Sequence, residues 1–191
     1  LVQKKPLLSE EQQLGLYGEL AVLEALVQRD GPVAMQCWTA YSGDKAERHD
    51  FRIGATEVEV KSTRSRKRIH VIHGLTQMVA SPGHHLYVLS LKFEHGGNAG
   101  RSLPDRVKAI RKLIKADARC VQLFKEKLDT ANYRDSDSIH YSTRLIAADQ
   151  PRLIPVDEKF PRITDTFLES GLGSSLVSRI GEVIYRVDLD G

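Results

Sequence analysis

The chain has 191 residues, of which 41% are hydrophobic and 28% are charged, and its formal net charge is +3. This length and composition fit one domain with a substantial core and exclude an intrinsically disordered protein. No apolar run approaches the ~18 residues needed to span a bilayer, and the mild positive charge alone indicates no class of partner.

The first predicted element is a long amphipathic helix. Ser9 and Gln12 have the spacing of a capping box, so we expect the helix to begin near residue 10. Asp30-Gly31-Pro32 should end it, because neither Gly nor Pro continues a helix well. A strand is predicted next, from residue 33 to residue 38. The buried stripe of the helix is formed by Leu16, Leu20, Leu23 and Val27.

Residues 49–63 predict a tight β-hairpin that turns at Gly54-Ala55. Side chains alternate between the two faces of a strand, so Val58 and Val60 should share one face of the second strand. Glu57, Glu59 and Lys61 should share the other face. The hairpin can also bring Asp50, on the first strand, towards this acidic and basic face.

The remainder of the chain predicts an alternation of strands and helices. LYVLSL, residues 86–91, has the continuous apolar character of a strand that is covered on both faces. Together these elements indicate an α/β or α+β domain around a mixed sheet. The other predicted elements are a strand at 69–73, a short helix at 75–80, a long helix at 103–128 with Ser102 as N-cap, and strands at 139–147 and 183–189.

The hairpin carries the residues with the clearest chemical potential. Hydrolysis of a phosphodiester needs a divalent cation, a positioned water and neutralisation of phosphate charge. Asp50 and Glu59 could hold the cation together with the carbonyl oxygen of Val60, and Lys61 could position the water. The alternative is that Glu57, Glu59 and Lys61 form the solvated face of an ordinary hairpin, since this pattern arises by chance about once in a chain of this length.

Several motifs along the chain resemble the PD-(D/E)XK phosphodiesterase superfamily, also called restriction endonuclease-like. Within it, the chain is similar to a bacterial group often encoded beside restriction and phage-defence genes. The resemblance spans about residues 12–189, and its most specific part is 50–63. The matching segments are Gly15–Leu20, Trp38, His49–Phe51, Glu57–Thr63, Gln77, Phe160–Arg162 and Val183–Val187.

The resemblance implies a restriction endonuclease-like core, a central mixed sheet flanked by helices, with a Mg²⁺ or Mn²⁺ site at one end. It implies that Asp50 and Glu59 are metal ligands and that Lys61 is the catalytic lysine. Glu19 would approach the metal or its waters and Gln77 would line the site, although a solvated helix residue and a surface residue are the alternatives for these two. The superfamily often has Pro before the first acid, whereas this chain has His49.

The basic residues form two candidate phosphate-binding sets. One directly follows the proposed catalytic strand, and the other recurs at three- and four-residue steps along the predicted helix 103–128. For the second set, an ordinary solvated helix face is the alternative. The sets are Arg64, Arg66, Lys67 and Arg68, and Lys108, Lys112, Lys115 and Arg119.

The remaining metal-binding or reactive residue types indicate no further site. Cys37 and Cys120 form no CxxC pair, so we expect two free thiols rather than a zinc or redox motif. The neighbouring histidine pairs 70/73 and 84/85 should point to opposite sides of their strands, and we expect structural roles for them.

Three functions compete at this point. The first is a metal-dependent nuclease acting on DNA in a restriction or phage-defence system, with other defence proteins and a second copy of the chain as partners. The second is a non-catalytic nucleic-acid-binding or assembly module with the same fold. The third, a hydrolase of small phosphorylated substrates, has little support because there is no Walker, GxGxxG or GxSxG motif.

The location and the extent of the protein complete the expectations. The N-terminus lacks the apolar stretch of a secretory signal, so we expect a cytoplasmic protein with no membrane partner. We expect residues 1–191 to form a single domain. The sequence does not begin with Met, which also fits the C-terminal part of a longer protein.

Overall fold

A computed structural model describes residues 6–41 and 48–190 of the chain. Its helices and strands, in chain order, are α1 (Glu10–Asp30), β1 (Phe51–Ile53), β2 (Thr56–Thr63), β3 (Ile69–His73), β4 (His85–His95), α2 (Leu103–Ile114), α3 (Ala118–Thr130), β5 (Leu145–Ala147), β6 (Arg152–Pro155), α4 (Asp165–Leu172), α5 (Ser174–Val177) and β7 (Ile184–Asp188).

Helix α1 begins and ends where the sequence predicts. The Ser9 side chain accepts from the backbone N–H of Gln12, and the Gln12 side chain accepts from the backbone N–H of Ser9. The helix ends at Gly31, which has a φ of +78°. Gly adopts this backbone angle without strain, whereas a residue with an L side chain would be strained there. The predicted apolar stripe of α1 is buried in the main core.

The strand predicted at residues 33–38 is wrong. Pro32–Cys37 form a 3₁₀ helix instead. Pro at the first turn of a helix has its φ already set, and its missing N–H would have no helical partner there. The helix also places Ala34 and Met35 in the core, where their apolar side chains are buried.

The predicted hairpin is confirmed. Strands β1 and β2 pair antiparallel, with Phe51 opposite Val58, and Gly54 takes a positive φ of +59° at the turn. Val58 and Val60 pack into the main core with α1, as the two-residue alternation predicts. Glu59 and Lys61 therefore point to the other face of β2.

Strand β4 is the centre of a mixed sheet. It pairs parallel with β2 on one side and antiparallel with β5 and β6 on the other. The predicted buried strand at 86–91 is therefore confirmed, and it is longer than expected. The strand predicted at 139–147 is confirmed only for its last three residues, since Asp135–His140 form a 3₁₀ helix.

A second, smaller sheet stands beside the first. Strands β3 and β7, both predicted, pair antiparallel with each other and not with the central sheet. A small apolar cluster that includes Ile72, Met78 and Val88 connects them to β4. The helix predicted at 75–80 is wrong, because this segment forms turns.

The long helix predicted at 103–128 is two helices. Ser102 caps α2 as expected. Asp117 then caps α3 by accepting hydrogen bonds from the backbone N–H groups of Arg119 and Cys120. Such side-chain acceptors favour a new helix start over continuation of the old one. No described helix has the length and apolar character to cross a membrane, and Cys37 and Cys120 are free thiols.

Candidate active site

The predicted catalytic side chains line one cavity of about 390 Å³. Helix α1 contributes one wall, the β1–β2 hairpin the floor, and β3 with its following turn the opposite wall. The five residues proposed from the sequence, Glu19, Asp50, Glu59, Lys61 and Gln77, all line this cavity.

Glu59 and Lys61 are neighbours on one face of β2. The Lys61 Nζ lies 3.1 Å from Glu59 Oε1, and the Gln77 side chain donates a hydrogen bond of 2.8 Å to the same oxygen. Only 4% of Glu59 is exposed. The alternative of an ordinary solvated hairpin face is therefore wrong for this carboxylate.

Asp50 is held in place by the backbone of β2. Its Oδ2 accepts a hydrogen bond of 2.7 Å from the backbone N–H of Val60. Strand β1 begins only at Phe51, so the Asp50 carboxylate takes the acceptor position that a longer strand would fill with a carbonyl. The carboxylate is thereby fixed beside the strand that carries Glu59.

Glu19 reaches the cavity from α1 and is only 6% exposed. Its Oε2 accepts from the indole N–H of Trp38 at 2.9 Å, and its Oε1 accepts from the Tyr41 hydroxyl at 3.2 Å. Burial, together with repulsion from Glu59, raises the pKa of Glu19 from 4.5 to about 7. The solvated alternative for Glu19 is wrong.

The cavity concentrates negative charge. Burial raises the pKa of Asp50 well above its ordinary value, and repulsion from Glu59 and Glu19 adds to the effect. Lys61 offsets only part of this repulsion in both cases. A cation in the cavity would lower the electrostatic cost of holding these carboxylates together.

The donor set fits a hard divalent cation. Magnesium is commonly bound through one or two carboxylates, with water and substrate phosphate completing its shell. Asp50 and Glu59 supply two carboxylates, and Val60 lines the same cavity. In the described part of the chain, no three His, Cys, Asp or Glu side chains are arranged to hold a metal together, so an ion here would depend on water and phosphate for the rest of its shell.

Glu57 shares a strand face with Glu59 but has a different environment. It lies 2.8 Å from Arg52 and 3.1 Å from the His49 Nδ1, and it accepts from the backbone N–H of Ser81. Burial would raise the pKa of Glu57, yet the hydrogen bonds from Ser81 and Arg52 outweigh it and hold the pKa at about 2. Through these contacts Glu57 connects the hairpin to Ser81 and has a structural role.

His49, at the position where the superfamily often has Pro, takes part in the same network of polar contacts as Glu57. Its Nδ1 faces Glu57, and its Nε2 lies 3.1 Å from the backbone oxygen of Gln77. The Gln77 side chain in turn accepts from the backbone N–H of His73 while it donates to Glu59. These hydrogen bonds hold the turn after β3 against the β1–β2 hairpin, which forms the floor of the cavity.

The basic residues after β2 divide into two groups. Arg64 lines the cavity and contacts His95, and Arg66 and Lys67 are exposed. Arg68 is 0% exposed, and its guanidinium donates to the backbone oxygens of Ser90 and Gln150. The prediction that Arg68 binds nucleic acid is therefore wrong, because the side chain is fully buried and its Nη1 and Nη2 groups donate to interior acceptors.

The second basic set is exposed but does not form one stripe. Lys108 and Lys112 lie on α2, Lys115 follows it and Arg119 lies on α3. The break between the helices therefore separates Arg119 from the three lysines, which keep the spacing of one helix face. None of the four lines the cavity, so their contact with phosphate stays a prediction.

The sequence did not single out His70 as part of the site. The structure places it in the cavity wall, 3% exposed, with its Nε2 2.7 Å from Ser90 Oγ. The expected structural role accounts for that hydrogen bond. The position of His70 beside Lys61 could be found only from the way that β3 folds over β2.

Comparisons with known proteins agree with this geometry. A sequence profile described as "Putative PD-(D/E)XK family member, (DUF4420)" matches residues 1–190. Searches of curated proteins and of solved structures produced no match. The mixed sheet with flanking helices and the Asp-Glu-Lys arrangement are consistent with this assignment. Because the match spans nearly the whole chain, the protein belongs to the DUF4420 family of PD-(D/E)XK-type proteins.

Proposed function

We propose that the protein is a metal-dependent nuclease that hydrolyses phosphodiester bonds of DNA. The observation that carries this proposal is the meeting of Asp50, Glu59 and Lys61 in one cavity, with Lys61 directly paired to Glu59. A binding module has no need for buried, mutually repelling carboxylates beside an ammonium group.

Mg²⁺ or Mn²⁺, held by Asp50, Glu59 and the carbonyl of Val60, would polarise the phosphate and favour ionisation of a bound water. The ammonium group of Lys61, 3.1 Å from Glu59 Oε1, would orient that water and offset charge on the phosphate. Gln77 keeps Glu59 oriented through its hydrogen bond. Glu19, fixed by Trp38, can accept a hydrogen bond from a water in the cavity.

The nucleic acid would approach over the positive rim of the cavity. Arg64 lines the cavity, and Arg66 and Lys67 follow it on the exposed loop between β2 and β3. Exposed guanidinium and ammonium groups can bind the phosphate backbone without reading bases. Action on DNA within a restriction or phage-defence system, association with other defence proteins, a homodimeric state and a cytoplasmic location rest on the family resemblance and are part of the proposal.

The test is cleavage of plasmid and single-stranded DNA in Mg²⁺, in Mn²⁺ and in EDTA. We expect cation-dependent cleavage by the parent chain and a loss of about 100-fold or more in Lys61→Met and in Asp50→Asn. Lys125→Met, on the exposed surface of α3, is the matched control and should cleave like the parent. Circular dichroism checks that each variant is folded.

Two results would contradict the nuclease assignment. Cleavage that survives equally in both site variants would show a contaminating nuclease. DNA binding with a steep salt dependence but no cleavage in either cation would instead favour the binding module.

A further inference from the structure

His70 lies in the wall of the cavity that Lys61 also lines, and its side chain contacts Ser90. In the parallel pairing of β2 with β4, Ser90 stands directly opposite Lys61, so the two side chains project from the same face of the sheet. His70, on β3, contacts Ser90 through Nε2 and lines the cavity. Its imidazole is therefore next to the catalytic lysine that we propose.

The hydrogen-bond network determines which ring nitrogen carries the proton. Arg68 can only donate, and its Nη1 donates to Ser90 Oγ at 3.1 Å. Ser90 is fully buried, so its hydroxyl proton requires an acceptor. In the described part of the chain, His70 Nε2 is the partner in position to accept it, at 2.7 Å. The ring proton of His70 then resides on Nδ1.

The Nδ1–H of His70 is available to a ligand. Among the described residues it has no hydrogen-bond partner, and it is not one of the unpaired polar atoms sealed from solvent. His70 lines the cavity, which is where a ligand could meet this donor. Burial, with repulsion from Lys61 and Arg68, lowers the pKa of His70 to about 4, so the ring is uncharged near neutral pH.

We propose that His70 contacts the substrate through Nδ1–H, donating a hydrogen bond to a non-bridging oxygen of the phosphate that lies beside Lys61. A neutral donor binds the phosphate without adding a second positive charge next to the lysine. This inference rests on the proposed nuclease function, because that function supplies the phosphate beside Lys61. The tautomer of His70 and its contact with DNA can nevertheless be measured without cleavage.

Two substitutions separate the two ring nitrogens. In His70→Asn the side-chain amide lies near the position of Nδ1, so a cavity donor is retained while the contact with Ser90 is lost. In His70→Gln the amide reaches the position of Nε2, so the contact with Ser90 is retained and the cavity donor is lost. His85→Gln, at the exposed start of β4, is the control.

The experiment measures DNA affinity in EDTA, cleavage in Mg²⁺, and the ¹⁵N chemical shifts of His70. We expect His70→Gln to lose about 10- to 100-fold in affinity and in cleavage, the loss typical of a hydrogen bond to a charged group. His70→Asn should stay within about threefold of the parent. The parent spectrum should show the Nδ1–H tautomer and a shift of that signal when a thymidine dinucleotide is added.

Three results would overturn the inference: an Nε2–H tautomer, parental affinity in His70→Gln, or equal losses in both variants together with a lowered melting temperature. The last result would mean that His70 only supports the fold through Ser90. If the parent binds DNA and shows the expected tautomer and variant pattern but never cleaves, the nuclease proposal fails while the phosphate contact of His70 stands.

Discussion

Replacing Glu19 by Gln should stabilise the protein above neutral pH and leave it almost unchanged in acid. Glu19 is buried, and its pKa is raised from 4.5 to about 7 by burial first and by Glu59 second. Between these two pH values the folded protein keeps the proton that the unfolded chain has released. The contribution of neutral Glu19 to stability is therefore full below pH 4.5 and is lost as the pH rises through 7.

The magnitude follows from the pKa difference. Each unit corresponds to 1.36 kcal/mol, so ionised Glu19 lowers the free energy of unfolding by about 3 kcal/mol at about pH 8 relative to about pH 4.5. Gln carries no charge at either pH, and its amide oxygen can still accept from the Trp38 indole. The stability gain of Glu19→Gln should therefore grow by about 3 kcal/mol between these two pH values.

Urea denaturation of the parent and the variant in EDTA, at several pH values, measures this difference. Glu158→Gln is the matched control, because Glu158 is exposed and should give the same offset at every pH. A constant difference between Glu19→Gln and the parent from acid to alkaline pH would refute the reasoning, since it would mean that Glu19 ionises as easily in the fold as in the unfolded chain. Cleavage by Glu19→Gln should fall, because the carboxylate would no longer be present in the cavity.

Two further predictions concern packing and the buried arginine. A Cβ at Gly18 would overlap Ser62 Oγ, whereas nothing lies within 4 Å of a Cβ at Gly15. Urea denaturation should therefore show Gly18→Ala destabilised by about 1–3 kcal/mol and Gly15→Ala stabilised by about 0.5–1 kcal/mol; equal effects would contradict the close approach of α1 to β2. Arg68→Met should lower the free energy of unfolding by about 3–5 kcal/mol because buried acceptors lose their donor, while Lys67→Met, which breaks an exposed ion pair, should cost below about 1 kcal/mol. Similar melting temperatures for these two variants would contradict the structural role of Arg68.

Local features of the fold could be predicted from the sequence because each depends on residues close together in the chain. The start of α1 depends on Ser9 and Gln12, three residues apart, and the hairpin on a two-residue turn. The alternation of side chains then determines that Glu59 and Lys61 share a face. The proposed active-site residues on β2 can therefore be identified from the sequence.

Errors arose where a local pattern fits more than one structure. The basic repeat along 103–128 has the spacing of one helix face, but the acceptor side chain of Asp117 begins a second helix. The mostly apolar residues 33–38 suit a buried strand as well as the 3₁₀ helix that Pro32 starts. In both cases the competing structures differ little in local energy, and packing against α1 and the sheet decides between them.

Residues close together in the chain were enough to predict the ends of α1, the hairpin and the shared face of Glu59 and Lys61. Which charged side chains are buried, and which partners they contact, depends on how distant elements pack together. Arg68 is buried and donates hydrogen bonds to the backbone oxygens of Ser90 and Gln150. Glu57, two residues from Glu59, instead contacts His49 and Arg52. The physical reason is that the desolvation of a charged side chain and its ion pairs depend on elements far apart in the chain, such as β3 folding over β2. The spacing of neighbouring residues in the sequence does not indicate these contacts.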